Sequence, residues 1–187
     1  MDRSDVVDKA FRDRLRSGDL PEGQPPGGPL RDEDAVAIFR AQCLSRNLDR
    51  RSRKMQAEGQ GFYTIGSSGH EGMAAVAAAL RPDDMAFLHY RDGAFHTMRP
   101  SQVPGVTPTW DMLLSFATST DEPISGGRHK VLGAKRLFIA PQNPTLASHL
   151  PKAVGAAYAI GAARRHRPEH IEWPDDSIVY CSFGDAS

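Results

Sequence analysis

The chain has 187 residues, 40% hydrophobic and 25% charged, with 23 basic side chains against 23 acidic ones. A length of this order buries one core plus an appendage rather than two full domains. The zero net charge excludes the global field of a nucleic-acid or membrane-surface binder, and no stretch reaches the ~18 apolar residues of a membrane span.

Residues 1–30 form a charged, Pro/Gly-rich segment, expected to be flexible: Val6, Val7, Phe11 and Leu15 are scattered among charges, and prolines and glycines crowd residues 18–29. The folded part is expected over residues 31–187. It opens with a helical arm from Asp32, whose acidic start suits the positive end of a helix dipole, with Val36, Phe39, Cys43, Leu44, Leu48 and Met55 at helical spacing. The basic run Arg50-Arg51-Ser52-Arg53-Lys54 has no interleaved aromatics, so it reads as a solvated face rather than a nucleic-acid site.

Gly66-Ser67-Ser68-Gly69-His70-Glu71-Gly72 precedes an Ala-rich run. Ser68 and Glu71 have capping-box spacing, which predicts a helix whose free amides point back toward the turn. Two readings stand: an anion or polar substrate group rests on Ser67, Ser68 and His70, or the glycines simply let the helix pack closely. Met85-Ala86-Phe87-Leu88 then reads as a buried strand ending in His89-Tyr90-Arg91-Asp92. Tyr90 and Arg91 at a strand's carboxyl end suit a phosphate grip; the alternative is a surface turn joining Arg91 to Asp92 with Tyr90 half-buried.

Residues 108–117 predict a packing helix, and Ser125-Gly126-Gly127-Arg128-His129-Lys130 a basic loop. From Pro151 to His166 the chain carries Gly155, Ala156, Ala157, Ala159, Gly161, Ala162 and Ala163. A helix this lean must lie against a sheet or a symmetry partner. The last strand, around Ile178-Val179-Tyr180-Cys181, exits into Gly184-Asp185, the position where open parallel sheets bind ligands. Cys43 and Cys181 are far apart in sequence, which argues against a disulfide or zinc framework and fits a reducing cytoplasm. Strands alternating with helices give an α/β fold with a mostly parallel sheet flanked by helices.

Taken in order, the arm, Gly69-His70-Glu71-Gly72, His89-Tyr90-Arg91-Asp92, Gly127-Arg128, the loop Thr145-Leu146-Ala147-Ser148-His149-Leu150-Pro151 and the strand ending at Gly184-Asp185 resemble a known family. It is the α part of the thiamine-diphosphate-dependent first component of 2-oxo acid dehydrogenase complexes. The branched-chain branch is nearest in wording, including forms with α and β parts fused in one polypeptide.

The resemblance implies the N-terminal part of a thiamine-diphosphate-binding fold, with thiamine diphosphate and Mg2+ as cofactors. Tyr90 and Arg91 match the diphosphate grip, Leu146 the aminopyrimidine loop, and Gly184 with Asp185 the start of the cofactor motif. Asp185 matches the first magnesium ligand, and the chain is expected to be a fragment that stops just after it. Where the family commonly has Gly after the acidic residue this chain has Ala186, and Leu132-Gly133 stand where relatives carry a histidine, with His129 nearby but not assigned that role. The implied activity is oxidative decarboxylation of a 2-oxo acid with acyl transfer to a lipoyl group, and the implied partners are a β part, a lipoyl-bearing acyltransferase and further copies in an oligomer. The catalytic glutamate comes from the β part, so no catalytic residue is assigned here and the chain alone is expected to be inactive. A transketolase-like transferase and a non-catalytic remnant are the alternatives.

Overall fold

The structure, a computed structural model, describes residues 3–20, 22–23, 30–62, 65–128, 132–142, 145–166, 169, 173–174, 176–185 and 187. Two compact units are present, Met1–Arg31 and Asp32–Ser187. Within the first, α1 (Arg3–Ser17) forms although its apolar residues make no buried stripe. Lys9 and Asp13, one turn apart at 2.8 Å, are the helix-compatible signal that scattered apolar positions concealed. Gly18, at φ +71, ends it. Most of the Pro/Gly tract lies outside the described residues.

The second unit begins with α2 (Asp32–Ala57), the expected long helix. Its buried face differs from the one the apolar spacing predicts: Ala41, Ser45, Leu48, Asp49, Ser52 and Met55 face inward while Val36, Phe39 and Leu44 stay largely exposed. Hydrogen bonding explains the rotation. Ser52 Oγ donates to the Asp49 carbonyl at 2.8 Å, and Ser45 and Asp49 both hold Ser67, so polar groups on this face are satisfied inside. Arg51, Arg53 and Lys54 are exposed, as a solvated face requires.

The remaining elements are α3 (Met73–Ala79), β1 (Met85–Phe87), α4 (Gly93–Met98), a 3-10 turn (Arg99–Gln102), α5 (Pro108–Phe116), β2 (Leu132–Ala134), a second 3-10 turn (Lys135–Leu137), β3 (Ile139–Gln142), α6 (Leu150–His166) and β4 (Val179–Cys181). The four-stranded sheet runs β2-β3-β1-β4. It is mixed: β1 is parallel to both β3 and β4, while β2 lies antiparallel to β3. β2, β3 and α4 have no counterpart in the predicted elements. The strands are too short to show alternation, and α4 starts on a glycine and is buried on nearly every side.

The core centres on Ala74, Ala77, Ala86, Leu88, Ala94, Phe95 and Leu137, all fully buried. Alanines on α3 and α4 let the helices approach closely, and Phe95 stacks on Tyr180 of β4 with centroids 5.5 Å apart. α6 lies against β4 and β1 through Ala153 and Ile160, with Val154 and Tyr158 on its exposed side. Among the described residues no helix is long and apolar enough to cross a membrane.

Asp84 sets the register that matters for the site. Its carboxylate accepts from the Ile178 amide at 3.0 Å, the Arg81 amide at 3.0 Å and the Arg81 guanidinium at 3.2 Å. Burial opposes its charge, but these donors prevail and hold the carboxyl below its ordinary value. The start of β4 is thereby tied to the start of β1, and Phe87 pairs with Cys181, so both strands end side by side.

Candidate functional site

At that shared carboxyl end Asp92, the residue before α4, is fully buried. One oxygen accepts from His70 Nδ1 at 2.8 Å. The other accepts from the His89 amide at 2.8 Å and from the Ser182 hydroxyl. Three donors from the turn before α3, the end of β1 and the end of β4 thus meet on one carboxylate, which is how a buried charge becomes tolerable. Of the surface-turn alternative, the turn and the half-buried Tyr90 are present, while Asp92 points inward and is not on the surface.

The rings of His70 and His89 stack at 4.9 Å, and that of His89 packs against Tyr90 at 3.9 Å. Burial pushes the His89 imidazole below its ordinary value; the Asp92 charge opposes this, while His70, Arg91 and His149 reinforce it. The Arg91 guanidinium lies 5.3 Å from the Tyr90 ring centroid and spends one N–H on the Gly66 carbonyl at 3.0 Å. A guanidinium has five N–H donors, so others remain for a ligand. Tyr90 and Arg91 border a tight hollow with Asp49, Ser67, Gly93, Met112 and Leu132 that has no room for a water molecule.

Ser67 lines this hollow through Asp49, whose carboxylate accepts from the Ser67 amide at 2.7 Å and from its hydroxyl at 2.8 Å. Ser45 Oγ is 2.8 Å from the same hydroxyl. Ser68 does not cap a helix: α3 starts at Met73 after Gly72, and Glu71 turns back to the Gly69 amide at 2.8 Å. The amides of His70, Met73, Ala74 and Ala75 bond to carbonyls of the same turn. The Gly69, His70, Met73, Ala74 and Ala75 amides of the turn are therefore occupied. Ser68 Oγ is taken by Arg46, and His70 is held by Asp92.

Across the sheet rim His149, fully buried, donates from Nε2 to the Ser182 carbonyl at 2.6 Å. Its Nδ1 is buried with no hydrogen-bond partner. In the same loop Leu146 is exposed and Ala147 adopts φ +58. Gly184 neighbours His89: a Cβ there would lie 3.4 Å from Nε2, in van der Waals contact. Asp185 follows on the exposed rim and is not among the residues lining the Tyr90–Arg91 hollow. His89 bridges the two, with Tyr90 on one side and Gly184 on the other. Arg128 is exposed, its amide bonding to the Ser125 carbonyl. His129, Lys130, Ala186 and Tyr63 lie outside the described residues.

The residues that organise the site but had no role predicted are Asp49, Asp92, His149 and Ser182. Asp92 and His149 stand within quoted motifs, so position flagged them while chemistry did not. Asp49 had a usable signal, a carboxylate on the inward face of α2 that needs a donor.

Residues 39–187 match the family model described as Dehydrogenase E1 component. The chain is 29% identical over 161 residues to a Mus musculus protein named 2-oxoisovalerate dehydrogenase subunit alpha, mitochondrial, covering 84% of this chain and 33% of that one. It is 32% identical over 163 residues to 2-oxoisovalerate dehydrogenase subunit alpha of Bacillus subtilis (strain 168), covering 84% of this chain and 44% of the other. The Homo sapiens mitochondrial subunit is 26% identical over 162 residues. The chain thus spans a third to under half the length of these curated relatives.

Proposed function

The chain belongs to the dehydrogenase E1 component family, a thiamine-diphosphate-dependent family, and on that premise we propose that it forms the cofactor-gripping part of an enzyme that oxidatively decarboxylates a 2-oxo acid. The observation that carries the reading is the parallel β1–β4 pair, whose adjacent carboxyl ends present Tyr90 and Arg91 from one strand and Gly184 and Asp185 from the other, with His89 packed between.

These residues fit a diphosphate and a divalent ion. Arg91 has donors to spare beside Tyr90, and Asp185 offers an exposed carboxylate of the kind a hard cation selects. Leu146, exposed on a loop that Ala147 kinks and His149 anchors, offers an apolar surface for an aromatic ring. Thiamine diphosphate, when bound, supplies the electron sink for loss of carbon dioxide. Arg91 and Tyr90 hold the diphosphate end, Asp185 binds Mg2+, and Ser67, Ser68 and His70 face the 2-oxo acid. A β part completes the site, and a lipoyl-bearing acyltransferase takes the acyl group. A branched-chain 2-oxo acid is the preferred substrate, because the relatives matched are named for 2-oxoisovalerate.

The test is calorimetric titration of thiamine diphosphate with Mg2+ into the protein supplied with its β part, followed by assay of carbon dioxide release from 2-oxoisovalerate and pyruvate. Saturable, Mg2+-dependent binding with turnover of the branched acid supports the reading. Absence of saturable binding removes it.

A further inference from the structure

α1 carries an exposed apolar stripe. Val7, Phe11 and Leu15 follow one another at intervals of four, with Val6 and Ala10 beside them, and Val6, Val7, Phe11 and Leu15 keep 45–59% of their surface open. A 15-residue helix is marginal in water on its own and draws its stability from packing such a face. The helix lies outside residues 39–187 that match the family model, so its role is independent of the 2-oxo acid reading.

The two halves of α1 differ in charge. Arg12, Arg14 and Arg16 outnumber Asp13 in the C-terminal half, whereas Arg3 and Lys9 are matched by Asp5 and Asp8 in the N-terminal half. Along one edge of the stripe Asp8 and Arg12 stand one turn apart, their charged atoms separated by 3.9 Å. Arg14, on the other edge, turns to Asp19, donating to its carbonyl at 3.3 Å with the carboxylate 3.6 Å away, so its charge is matched within α1's own unit.

We propose that α1 is a self-association element, through which two copies of the chain pair with their α1 helices antiparallel along Val7, Phe11 and Leu15. An antiparallel copy runs the Asp8–Arg12 edge against itself, so each Asp8 meets the Arg12 of the other copy. It opposes the two helix dipoles and sets each arginine-rich half beside an acid-bearing half. A parallel copy would lay Arg12, Arg14 and Arg16 beside their own equivalents. The helix supplies both halves of this match from one sequence, which is what makes a second copy its partner. A helix of 15 residues is about 22 Å long, and a single stripe falls short of the roughly 800 Å² per partner of a stable interface. α1 therefore acts as a clasp that adds to other contacts between copies.

Cysteine cross-linking in the full chain, supplied with its β part, tests the pairing. Helix geometry places Phe11 of one copy against Phe11 of the other and Val7 against Leu15, while the two Val7 positions stand about 12 Å apart along the axis, beyond disulfide reach. Under mild oxidation Phe11→Cys should cross-link to itself, and an equal mixture of Val7→Cys and Leu15→Cys should give the mixed dimer, above a background set by the parent with Cys43 and Cys181. Val7→Cys alone should stay uncrosslinked. In sedimentation equilibrium Phe11→Glu should weaken self-association of the same assembly by about tenfold or more. Cross-linking of Val7→Cys to itself as readily as to Leu15→Cys overturns the antiparallel arrangement. Adducts with the β part alone, none above background, or an unchanged association constant in Phe11→Glu overturn the second copy as the occupant of the stripe.

Discussion

His149 donates to the Ser182 carbonyl at 2.6 Å, joining the loop that carries Leu146 to the end of the strand that leads into Asp185. Ser182 also gives its hydroxyl to Asp92 and its amide to the Phe87 carbonyl at 3.0 Å. One serine therefore couples the loop that carries Leu146, the end of β4 that leads into Asp185 and the end of β1.

Breaking that coupling has a foreseeable cost. His149→Ala leaves a buried carbonyl unpaired and a cavity behind it, and should lower unfolding free energy by about 2–4 kcal/mol. His149→Gln, whose amide can reach the same carbonyl, should recover at least half. Urea unfolding followed by circular dichroism measures both, and equal losses in the two variants would show that the hydrogen bond is immaterial.

Arg91 and Arg128 differ in their surroundings, and the proposed diphosphate grip belongs to Arg91 alone. Arg91 borders the hollow beside Tyr90, while Arg128 is exposed on a loop. Arg91→Ala should weaken thiamine diphosphate binding by about 10–100-fold, the worth of a charge-assisted hydrogen bond, and Arg128→Ala by under about threefold. Calorimetry ranks them, and the reverse order refutes the assignment of the grip to Arg91.

His96 makes the fold acid-sensitive. It is wholly buried on α4, and burial lowers its pKa to about 4. A group depressed in the folded state contributes stability that is complete above the unfolded value near 6.5 and is lost as pH falls toward 4. The loss should total about 3 kcal/mol across that window. Asp84, also held low, adds its own loss only below its ordinary value near 3.8. Melting curves from pH 7 to 4 should show the decline, and His96→Leu should remove its share of the slope between 6.5 and 4, leaving the part that the also-depressed His89 contributes.

Gly93 is where α4 crosses α2. A Cβ there would come within 2.8 Å of Ser45 Oγ, whose partner Ser67 lines the hollow. Gly93→Ala should cost about 1–3 kcal/mol and weaken cofactor binding at the same time. Gly69→Ala supplies the contrast, since open space surrounds that position and only its φ of +90 is strained. An unchanged melting temperature in Gly93→Ala would contradict the close helix crossing.

Much of the site's address was legible before the fold was known. Tyr90, Arg91, Gly184 and Asp185 fall at strand ends because Met85-Ala86-Phe87-Leu88 and Val179-Tyr180-Cys181 are short apolar runs that break at polar residues. What stayed hidden depends on which polar groups find partners after folding. Ser68 and Glu71 have capping-box spacing, yet Glu71 bonds to Gly69 and the helix begins at Met73, because a local side-chain-to-amide bond competes with the cap. Asp92 looked like a turn residue next to an arginine; its real donors come from His70, 22 positions earlier, and Ser182, 90 positions later. α2 hid its inward face for the same reason, since Ser45 and Asp49 are buried by bonding to Ser67 rather than by hydrophobicity.

Asp185 at the end of β4 and Arg91 at the end of β1 are proposed to serve one metal–diphosphate group. Titrating thiamine diphosphate with and without Mg2+ into the protein supplied with its β part, as parent and as Asp185→Ala, tests it most directly. Mg2+ should tighten binding at least tenfold in the parent and have little effect in Asp185→Ala. An equal Mg2+ effect in both proteins would contradict it.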